Sequence, residues 1–373
     1  MAWWRARRAW EQPKLSVVVP VFNVERFLPS AVESIQAQGI DNLEILIIND
    51  GSTDSSLEVA RGCAAADSRI RVLDQKNGGV SSARNTAMAE CSGDLVTFVD
   101  PDDTLPPGAW KSMISTLLRT GSDLVIGSMR HVDGEGRVHR LPLLERNHAV
   151  ARERITLADQ PLLLADVFPC NKMFRMDFWR RLDLTFPVDV RYYEDQTVAT
   201  EAMLAASSLD VLSDVVYEWH VRGDKSSATQ ARAALRNLED RLLTKQRTIE
   251  LVLEHGDPEL LDVLWREVLP IDMWEHFRAA VAPTTELRDR YWETLREGLL
   301  EIWPPDSMPF ERTHVPPGQR LMGWLVSQDR RHDLATLIHT IDGPGVPQRD
   351  GRYLHPFLND PSVPPALSQI APR

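Results

Sequence analysis

Cysteine is scarce in this sequence. Cys63, Cys91 and Cys170 are its three cysteines in 373 residues, and no two of them have CxxC spacing. An odd number without paired spacing excludes both a disulfide framework and a cysteine-based zinc site. Since unpaired thiols suit a reducing compartment, we expect a cytoplasmic protein.

The sequence also lacks an excess of basic residues and any long apolar run. It carries 42 lysines and arginines against 54 aspartates and glutamates, which gives a formal net charge of −12. A general nucleic-acid binder needs a dense basic surface, so this class is excluded. A transmembrane helix needs about 20 apolar residues, whereas the longest apolar runs, Leu15 to Phe22 and Leu43 to Ile48, have strand length.

The first ten residues mix arginines with tryptophans but have neither the apolar core nor the cleavage site of a secretory signal. Such a segment leaves open a peripheral association with an anionic membrane surface at the inner face. The alternative is a mobile terminal tail.

The length exceeds the roughly 250 to 300 residues at which one core usually stops growing. We therefore predict a basic and aromatic tail over 1–14, an α/β domain over 15–232, a helical appendage over 233–341 and an irregular proline-rich tail over 342–373. Apolar residues at helical spacing predict the appendage, with helices near 238–249, 260–281 and 287–303. It is a candidate surface for an acceptor or for a homo-oligomer.

Short apolar runs alternate with helix-like segments between Leu15 and Val99. This alternation predicts a Rossmann-like, mostly parallel sheet flanked by helices, whose ligands gather at the carboxyl ends of the strands. No GxGxxG follows the first run, which disfavours a dinucleotide-dependent oxidoreductase. Four polar clusters each follow an apolar run and should converge on one crevice: Pro20-Val21-Phe22-Asn23, Asn49 to Asp54, Asn77-Gly78-Gly79 and Asp100-Pro101-Asp102-Asp103.

The Asp100-Pro101-Asp102-Asp103 cluster crowds three carboxylates on one tight turn. Carboxylates in such proximity repel one another unless a cation offsets them, and their hard oxygens suit Mg²⁺ or Mn²⁺. The alternative is an Asx-type turn that caps the following helix.

Asp50 and Arg84 are candidates for contact with a nucleotide. Asp50 ends a predicted strand, where a carboxylate can accept hydrogen bonds from a ribose or a base, although it could instead cap the next helix. Arg84 lies in the first turn of a helix that follows Gly78-Gly79, so it could face an anion beside the helix N-terminus. The alternative is an ordinary surface arginine.

Two later segments carry further polar groups. Taken alone, Glu194 and Asp195 would be read as caps of the helix they precede. The stretch from His220 to Ser227 gathers cationic and hydroxyl donors that suit a departing diphosphate. His220 is a candidate third metal ligand, although a structural histidine is the commoner case.

Taken in order, these motifs resemble the family 2 glycosyltransferases, which have a GT-A nucleotide-binding fold, from Ser16 to about Ser227. The residues that carry the resemblance are Val19 to Asn23, Asn49 to Asp54, Asn77 to Asn85, Phe98 to Asp103 and Glu194-Asp195. Asn49 departs from the acidic residue common at that position, and Pro101 occupies the variable middle position of the DxD element.

The resemblance implies an enzyme with Asp195 as catalytic base, assisted by Glu194, and with Asp100 and Asp102 as the metal-binding DxD element. Positive charge from Arg84, Lys172 and Arg222 would then offset the charge of the donor. The resemblance places around the nucleotide-sugar the residues Pro20, Asn23, Asp50, Asn77, Arg84, Asp100 and Asp102. From their residue types and positions, we add as candidate nucleotide-sugar contacts Val21, Arg222, Ser226 and Ser227. The candidate metal ligands are Asp102, Asp100 and His220.

A second resemblance concerns the acceptor. Asn171 to Arg175, Tyr193 to Gln196 and Trp219 to Ser227 look like the bacterial subset that decorates wall teichoic acids and related glycopolymers. It implies inverting transfer from a nucleotide diphosphate sugar, usually UDP-linked, to a glycan or polyol-phosphate hydroxyl. The alternatives are a catalytically silent glycan-binding or scaffold subunit and a metal-dependent nucleotidyltransferase, which would leave Glu194-Asp195 unexplained.

Overall fold

The computed structural model describes residues 12–139, 141–221, 233–285, 287–304 and 309–369. The predicted donor-binding residues Arg222, Ser226 and Ser227 lie outside these ranges, as does the basic segment 1–11. The chain divides into two compact units, Met1–Ser226 and Ser227–Arg373.

The first unit is an α/β domain. Its strands are β1 (Leu15–Val21), β2 (Leu43–Asp50), β3 (Ile70–Gln75), β4 (Leu95–Phe98), β5 (Leu124–Val132), β6 (Val138–His139), β7 (Arg152–Ile155), β8 (Lys172–Arg175) and β9 (Leu209–His220). Its helices are α1 (Leu28–Gln36), α2 (Ser56–Ala66), α3 (Val80–Glu90), α4 (Ala109–Thr120), α5 (Pro142–Asn147), α6 (Met176–Arg181) and α7 (Glu194–Ala205).

These strands form one mixed sheet in the order β3-β2-β1-β4-β8-β5-β9-β7, with β6 paired to β5. β3, β2, β1 and β4 are parallel, β8 runs antiparallel to both β4 and β5, and β9 is parallel to β5. The predicted mostly parallel sheet is confirmed. The reversed strand β8 within it was not predicted.

Local sequence explains the central strands. Every residue of β1 and β2 is buried, as expected for strands that helices cover on both faces. Helix α4 packs Trp110, Met113 and Leu117 into the same core and ends at Gly121, whose φ of 74° suits the left-handed cap. Because β1, β2 and β4 are parallel, their carboxyl ends lie at one edge of the sheet, and three of the polar clusters follow them there.

The second unit is mainly helical. It contains α8 (Leu235–His255), α9 (Pro258–Val263), α10 (Met273–Ala279), α11 (Arg288–Ile302), α12 (Pro317–Ser327), α13 (Arg331–Asp342), a short π-helix (Leu264–Val268) and the paired strands β10 (Gln348–Arg349) and β11 (Arg352–Tyr353). A Cβ at Gly298 would overlap Leu242, so this glycine allows α11 to approach α8 closely.

One expectation for this unit was wrong. The predicted helix over 260–281 is interrupted, because Pro270 lies between the π-helix and α10 and Asp272 adopts a φ of 66°. Much of the described tail after Asp342 has no regular secondary structure, although Tyr353 and Leu367 are buried and β10 pairs with β11. Within the described ranges, none of the helices combines the length and apolar character that crossing a bilayer requires.

Candidate active site

The loops after β1 and β2 are joined by side-chain hydrogen bonds. The Asn23 side-chain oxygen accepts from the backbone N–H of Thr53 at 2.8 Å, and the Asn23 N–H donates to the Ser52 hydroxyl at 3.1 Å. Asn23 is exposed and adopts a φ of 53°, a left-handed conformation that asparagine tolerates. The first two polar clusters therefore meet, as the sequence predicted.

Asp50 organises the third cluster. Its carboxylate accepts hydrogen bonds from the backbone N–H groups of Gly78 and Gly79 at 2.9 and 2.8 Å and from the Gln75 side chain at 2.7 Å. The Asn77 side chain donates to the Asp50 carbonyl at 3.0 Å. Asp50 is 3% exposed. Its carboxylate thus fixes the glycine loop, and the predicted direct contact between Asp50 and a nucleotide stays a prediction.

The turn from Asp100 to Asp103 is anchored to the end of β9. Asp103 is buried and accepts hydrogen bonds from the Tyr217 hydroxyl at 2.8 Å and from the His220 N–H at 2.7 Å. Burial, followed by repulsion from Asp102 and Asp100, raises the pKa of Asp103 well above its ordinary value. Asp103 therefore supports the turn and leaves Asp100, whose side chain is 35% exposed, at its surface.

Arg84 joins the acidic turn to the start of α7. One guanidinium nitrogen contacts Glu194 at 3.0 Å and also Asp195, and the other contacts Asp100 at 3.0 Å. The Arg84 side chain is 2% exposed, and its guanidinium lies 5.0 Å from the centre of the Phe186 ring. One buried cation thus binds both acidic motifs that the sequence singled out.

The Asp195 carboxyl lies in an environment that favours its protonated form. Burial raises the pKa of Asp195 well above its ordinary value, Arg84 opposes this shift, and the charges of Glu194 and Asp100 reinforce it. A raised pKa brings a carboxylate closer to the range in which a general base works near neutral pH. The opposing arginine keeps a charged form accessible.

The backbone places Glu194 and Asp195 by an uncommon conformation. Tyr193, directly before α7, adopts a φ of 63°, which is rare for a bulky residue and is frequent at functional sites. The preceding loop is held by Asn85, whose side chain exchanges two hydrogen bonds of 2.8 and 2.9 Å with the Phe186 backbone. These contacts fix the direction in which α7 presents its first two carboxylates.

Several predicted site residues have other roles in this fold. The side chain of Val21 belongs to the hydrophobic core and Pro20 is buried in β1, so the contact of these two residues with a nucleotide stays a prediction. Arg84 is engaged by three carboxylates rather than facing an anion at the helix start, because the topology brings Asp100 and α7 to it. Lys172 is fully buried and contacts Asp166 at 2.7 Å, so it does not supply charge to the crevice.

The predicted metal ligands are only partly assembled. Nε2 of His220 lies 2.8 Å from the Thr104 hydroxyl. Among the described residues, no group of three His, Cys, Asp or Glu side chains is arranged to hold a metal ion. Asp100, Asp102 and His220 therefore all stay predictions as metal ligands.

Sequence reasoning missed two residues at this edge. Phe22 is 44% exposed, because the residue after buried Val21 faces outward at the end of β1. The sequence could have indicated this role, because a large apolar side chain directly before Asn23 is unusual in a polar loop. Tyr217 is fully buried beneath the acidic turn, and no local pattern indicated its contact with Asp103.

Sequence comparison identifies the domain. The family described as "Glycosyl transferase family 2" matches residues 16–182. The uncharacterized glycosyltransferase EpsJ of Bacillus subtilis strain 168 is 30% identical over 209 residues, which are 55% of this chain and 60% of EpsJ. The poly(ribitol-phosphate) beta-N-acetylglucosaminyltransferase TarS of Staphylococcus aureus strain MW2 is 24% identical over 221 residues, 58% of this chain and 37% of TarS. The chain thus spans less than two thirds of either relative.

Structural comparison agrees on the fold. A structure of S. aureus TarS in complex with UDP-GlcNAc superimposes with a TM-score of 0.69 at 19% identity, over 91% of this chain and 95% of that one. The mannosyltransferase PcManGT of Pyrobaculum calidifontis, in complex with GDP-Man and Mn²⁺, gives a TM-score of 0.52 at 17% identity over 91% of each chain. These similarities establish the GT-A fold.

Proposed function

We propose that this chain, whose residues 16–182 match glycosyltransferase family 2, transfers a sugar from a nucleotide diphosphate sugar to a hydroxyl group of a cell-surface glycan or polyol-phosphate polymer. The observation that carries this proposal is the contact of Arg84 with both Asp100 and Asp195. It brings the motif that would bind the donor and the carboxylate that would activate the acceptor to the two sides of one guanidinium.

The donor in this proposal is UDP-linked. Asn23, Asp50 and Asn77 share the edge of the sheet where parallel α/β folds bind ligands. The exposed ring of Phe22 offers a flat apolar face for a nucleobase there. The similar fold of TarS in complex with UDP-GlcNAc supports a uridine nucleotide.

A divalent cation fits the acidic turn. Asp100 and Asp102 offer hard oxygen ligands, and burial, followed by repulsion from those two carboxylates, raises the pKa of Asp103. We propose that Asp100 and Asp102 would hold Mn²⁺ or Mg²⁺ together with donor phosphate oxygens. When bound, the cation would neutralise charge on the departing diphosphate. The structure of PcManGT with Mn²⁺ supports this choice.

Asp195 is the proposed catalytic base. Its carboxylate would accept the proton of the acceptor hydroxyl while that oxygen bonds to the anomeric carbon. The bond from this carbon to the diphosphate oxygen breaks on the opposite face, and its electron pair leaves with the UDP. The result is inversion in a single displacement. Glu194 shares Arg84 with Asp195 and would hold the guanidinium in place.

The acceptor is proposed from similarity. TarS is a poly(ribitol-phosphate) glycosyltransferase, which supports a polymer of the teichoic acid type here.

We further propose a cytoplasmic enzyme that associates peripherally with the membrane, and self-association through the C-terminal helices. Light scattering of the full chain that reports a monomer throughout the micromolar range would contradict the last point.

A donor screen tests the proposed activity. Purified protein is incubated with a panel of nucleotide-sugars and a ribitol-phosphate polymer, with and without Mn²⁺, and UDP release is measured. We expect polymer-dependent, Mn²⁺-stimulated release of UDP. Absence of transfer from every donor, combined with tight binding of the polymer, would favour a glycan-binding subunit, and pyrophosphate release would favour a nucleotidyltransferase.

Asp195→Asn tests the base. The amide cannot take the acceptor proton, so we expect turnover to fall at least ~100-fold, the lower end of what general base catalysis contributes. The affinity for UDP should change little, as calorimetry would show. Glu201→Gln is the matched control, since Glu201 is a partly buried carboxyl on the same helix. Equal activity of both variants would remove Asp195 from the mechanism.

Phe22→Ala tests the nucleobase contact. Base stacking on an aromatic ring contributes ~1–3 kcal/mol, so we expect UDP affinity to fall roughly tenfold while the melting temperature changes little, because the ring is 44% exposed. Leu118→Ala, at a 60% exposed position on α4, is the control. Unchanged UDP affinity in Phe22→Ala would place the base elsewhere.

A further inference from the structure

The Tyr217 hydroxyl bridges the two ends of the acidic turn. It donates a hydrogen bond to the Asp103 carboxylate at 2.8 Å and accepts one from the Asp100 backbone N–H at 3.1 Å. Tyr217 is 0% exposed and Asp103 is 3% exposed. Water therefore cannot readily replace this hydroxyl, and its two partners would lose a buried hydrogen bond without it.

Within the turn, the Asp103 N–H donates to the Asp100 carbonyl at 3.1 Å, and further contacts hold its second end. Thr104 and Glu218 exchange backbone hydrogen bonds of 3.2 and 2.9 Å, and the His220 N–H donates to Asp103 at 2.7 Å. All of these hold the residues from Asp103 onward against β9. From β9, the Tyr217 hydroxyl also reaches the Asp100 end of the turn. This hydroxyl therefore supports, from beneath, the spacing between Asp100 and Asp103 that the backbone hydrogen bond of the turn also holds, and Asp102 lies between these two residues.

The sheet is built to bring Tyr217 to this place. The register between β5 and β9 shifts twice, so that Ser128 pairs with Val215 while the next residue, Met129, pairs with Tyr217. The extra residue, Val216, packs where Gly127 has no side chain, and a Cβ on that glycine would overlap the valine methyl groups. Such bulges re-aim side chains and are frequent beside active sites.

We propose that Tyr217 is a positioning residue that sets the geometry of Asp100 and Asp102 for a divalent cation. This inference rests on the proposed function, because it assumes that the acidic turn holds a cation with the donor diphosphate. Because Tyr217 is fully buried, it would not touch the donor or the cation itself. It acts on the turn from beneath, through the Asp100 backbone and the Asp103 side chain.

The test compares Tyr217→Phe with Tyr291→Phe. Both tyrosines are fully buried and each hydroxyl has a hydrogen-bond partner, which for Tyr291 is His276 at 2.8 Å in the helical unit. Calorimetry measures UDP affinity without metal and across a Mn²⁺ titration. We expect the Mn²⁺ concentration for half-maximal enhancement to rise ~tenfold in Tyr217→Phe, which corresponds to about 1.4 kcal/mol and lies in the range for losing a buried hydrogen-bond partner.

Affinity for UDP without metal should be the same in all three proteins, and Tyr291→Phe should keep the wild-type response to Mn²⁺. Loss of stability alone, seen as a lower melting temperature, would not change the Mn²⁺ titration. Wild-type Mn²⁺ dependence in folded Tyr217→Phe would overturn the positioning role and leave the proposed function intact. If the UDP affinity of the wild-type protein does not change with Mn²⁺ concentration, both the cation site and the positioning role of Tyr217 are overturned.

A second measurement does not depend on the stability of that variant. Site-specific 3-fluorotyrosine at position 217 keeps the ring and hydroxyl, and its ¹⁹F resonance reports the hydrogen-bond environment. We expect the resonance to shift when Mg²⁺ is added with UDP and to stay unchanged with Mg²⁺ or UDP alone. The same label at position 291 should not respond. If UDP binding depends on Mg²⁺ but the chemical shift of the label at position 217 stays unchanged, the proposal is refuted.

Discussion

Arg84→Met gives the sharpest test of the acidic cluster. The substitution keeps much of the side-chain length but removes the charge that faces Asp100, Glu194 and Asp195. Removing one partner of a buried ion pair costs ~3–5 kcal/mol because the remaining charge is left uncompensated. Three carboxylates share this arginine, which is 2% exposed, so we expect a loss at the upper end of that range at pH 7.5.

The loss should depend on pH. Without Arg84, the folded-state pKa of Asp195, which burial and the neighbouring carboxylates already raise, rises further above its unfolded value. A carboxyl with a raised folded pKa binds a proton more tightly in the native state, so folding becomes more favourable as the pH falls. The difference in unfolding free energy between wild type and variant should therefore narrow from pH 7.5 to pH 5.

Urea denaturation at the two pH values measures this effect. Arg71→Met is the matched control, because Arg71 forms an exposed ion pair with Glu90 at 2.7 Å and such pairs contribute ~1 kcal/mol or less. If Arg84→Met loses no more stability than Arg71→Met, or if its loss is equal at both pH values, then Arg84 does not compensate the three carboxylates. If the variant keeps some activity, the acidic limb of its pH–rate profile should also move to higher pH, because Asp195 would lose its proton at a higher pH than in the wild type.

Two further predictions concern the framework. Lys172→Met should destabilise the protein by ~3–5 kcal/mol, because it removes the ammonium from the fully buried Asp166 and leaves that carboxylate with only His148 and Asn171 among its contacts described here. In the wild type, burial raises the pKa of Asp166, but Lys172 and His148 outweigh it and lower this pKa to about 2. The stability that the carboxylate provides above pH ~4 should therefore be lost as the pH falls towards 2, and a flat wild-type profile there would contradict this. Gly127→Ala should cost ~1–3 kcal/mol through overlap with β9, whereas Gly134→Ala meets open space, so equal melting temperatures for the two variants would argue against a tight β5–β9 contact.

The sequence by itself determined the fold class and the edge at which the site lies. Buried strands such as β1 read as continuous apolar runs, and the polar cluster after each one marks the carboxyl end of a parallel strand. The acidic motif at Asp100 and the Glu194-Asp195 pair were visible because their chemistry depends on residues adjacent in the chain.

Tertiary structure alone decided how these motifs are connected. Arg84 meets Asp195 across 111 positions, and Tyr217 meets Asp103 across 114. Hydrophobic periodicity reports which face of an element is buried, but it does not report which distant element covers that face. For the same reason the reversed β8 and the buried partner of Lys172 were not foreseen. The sequence thus identified the carboxylates of the site. The topology of the sheet determined that the Arg84 guanidinium and the Tyr217 hydroxyl contact them.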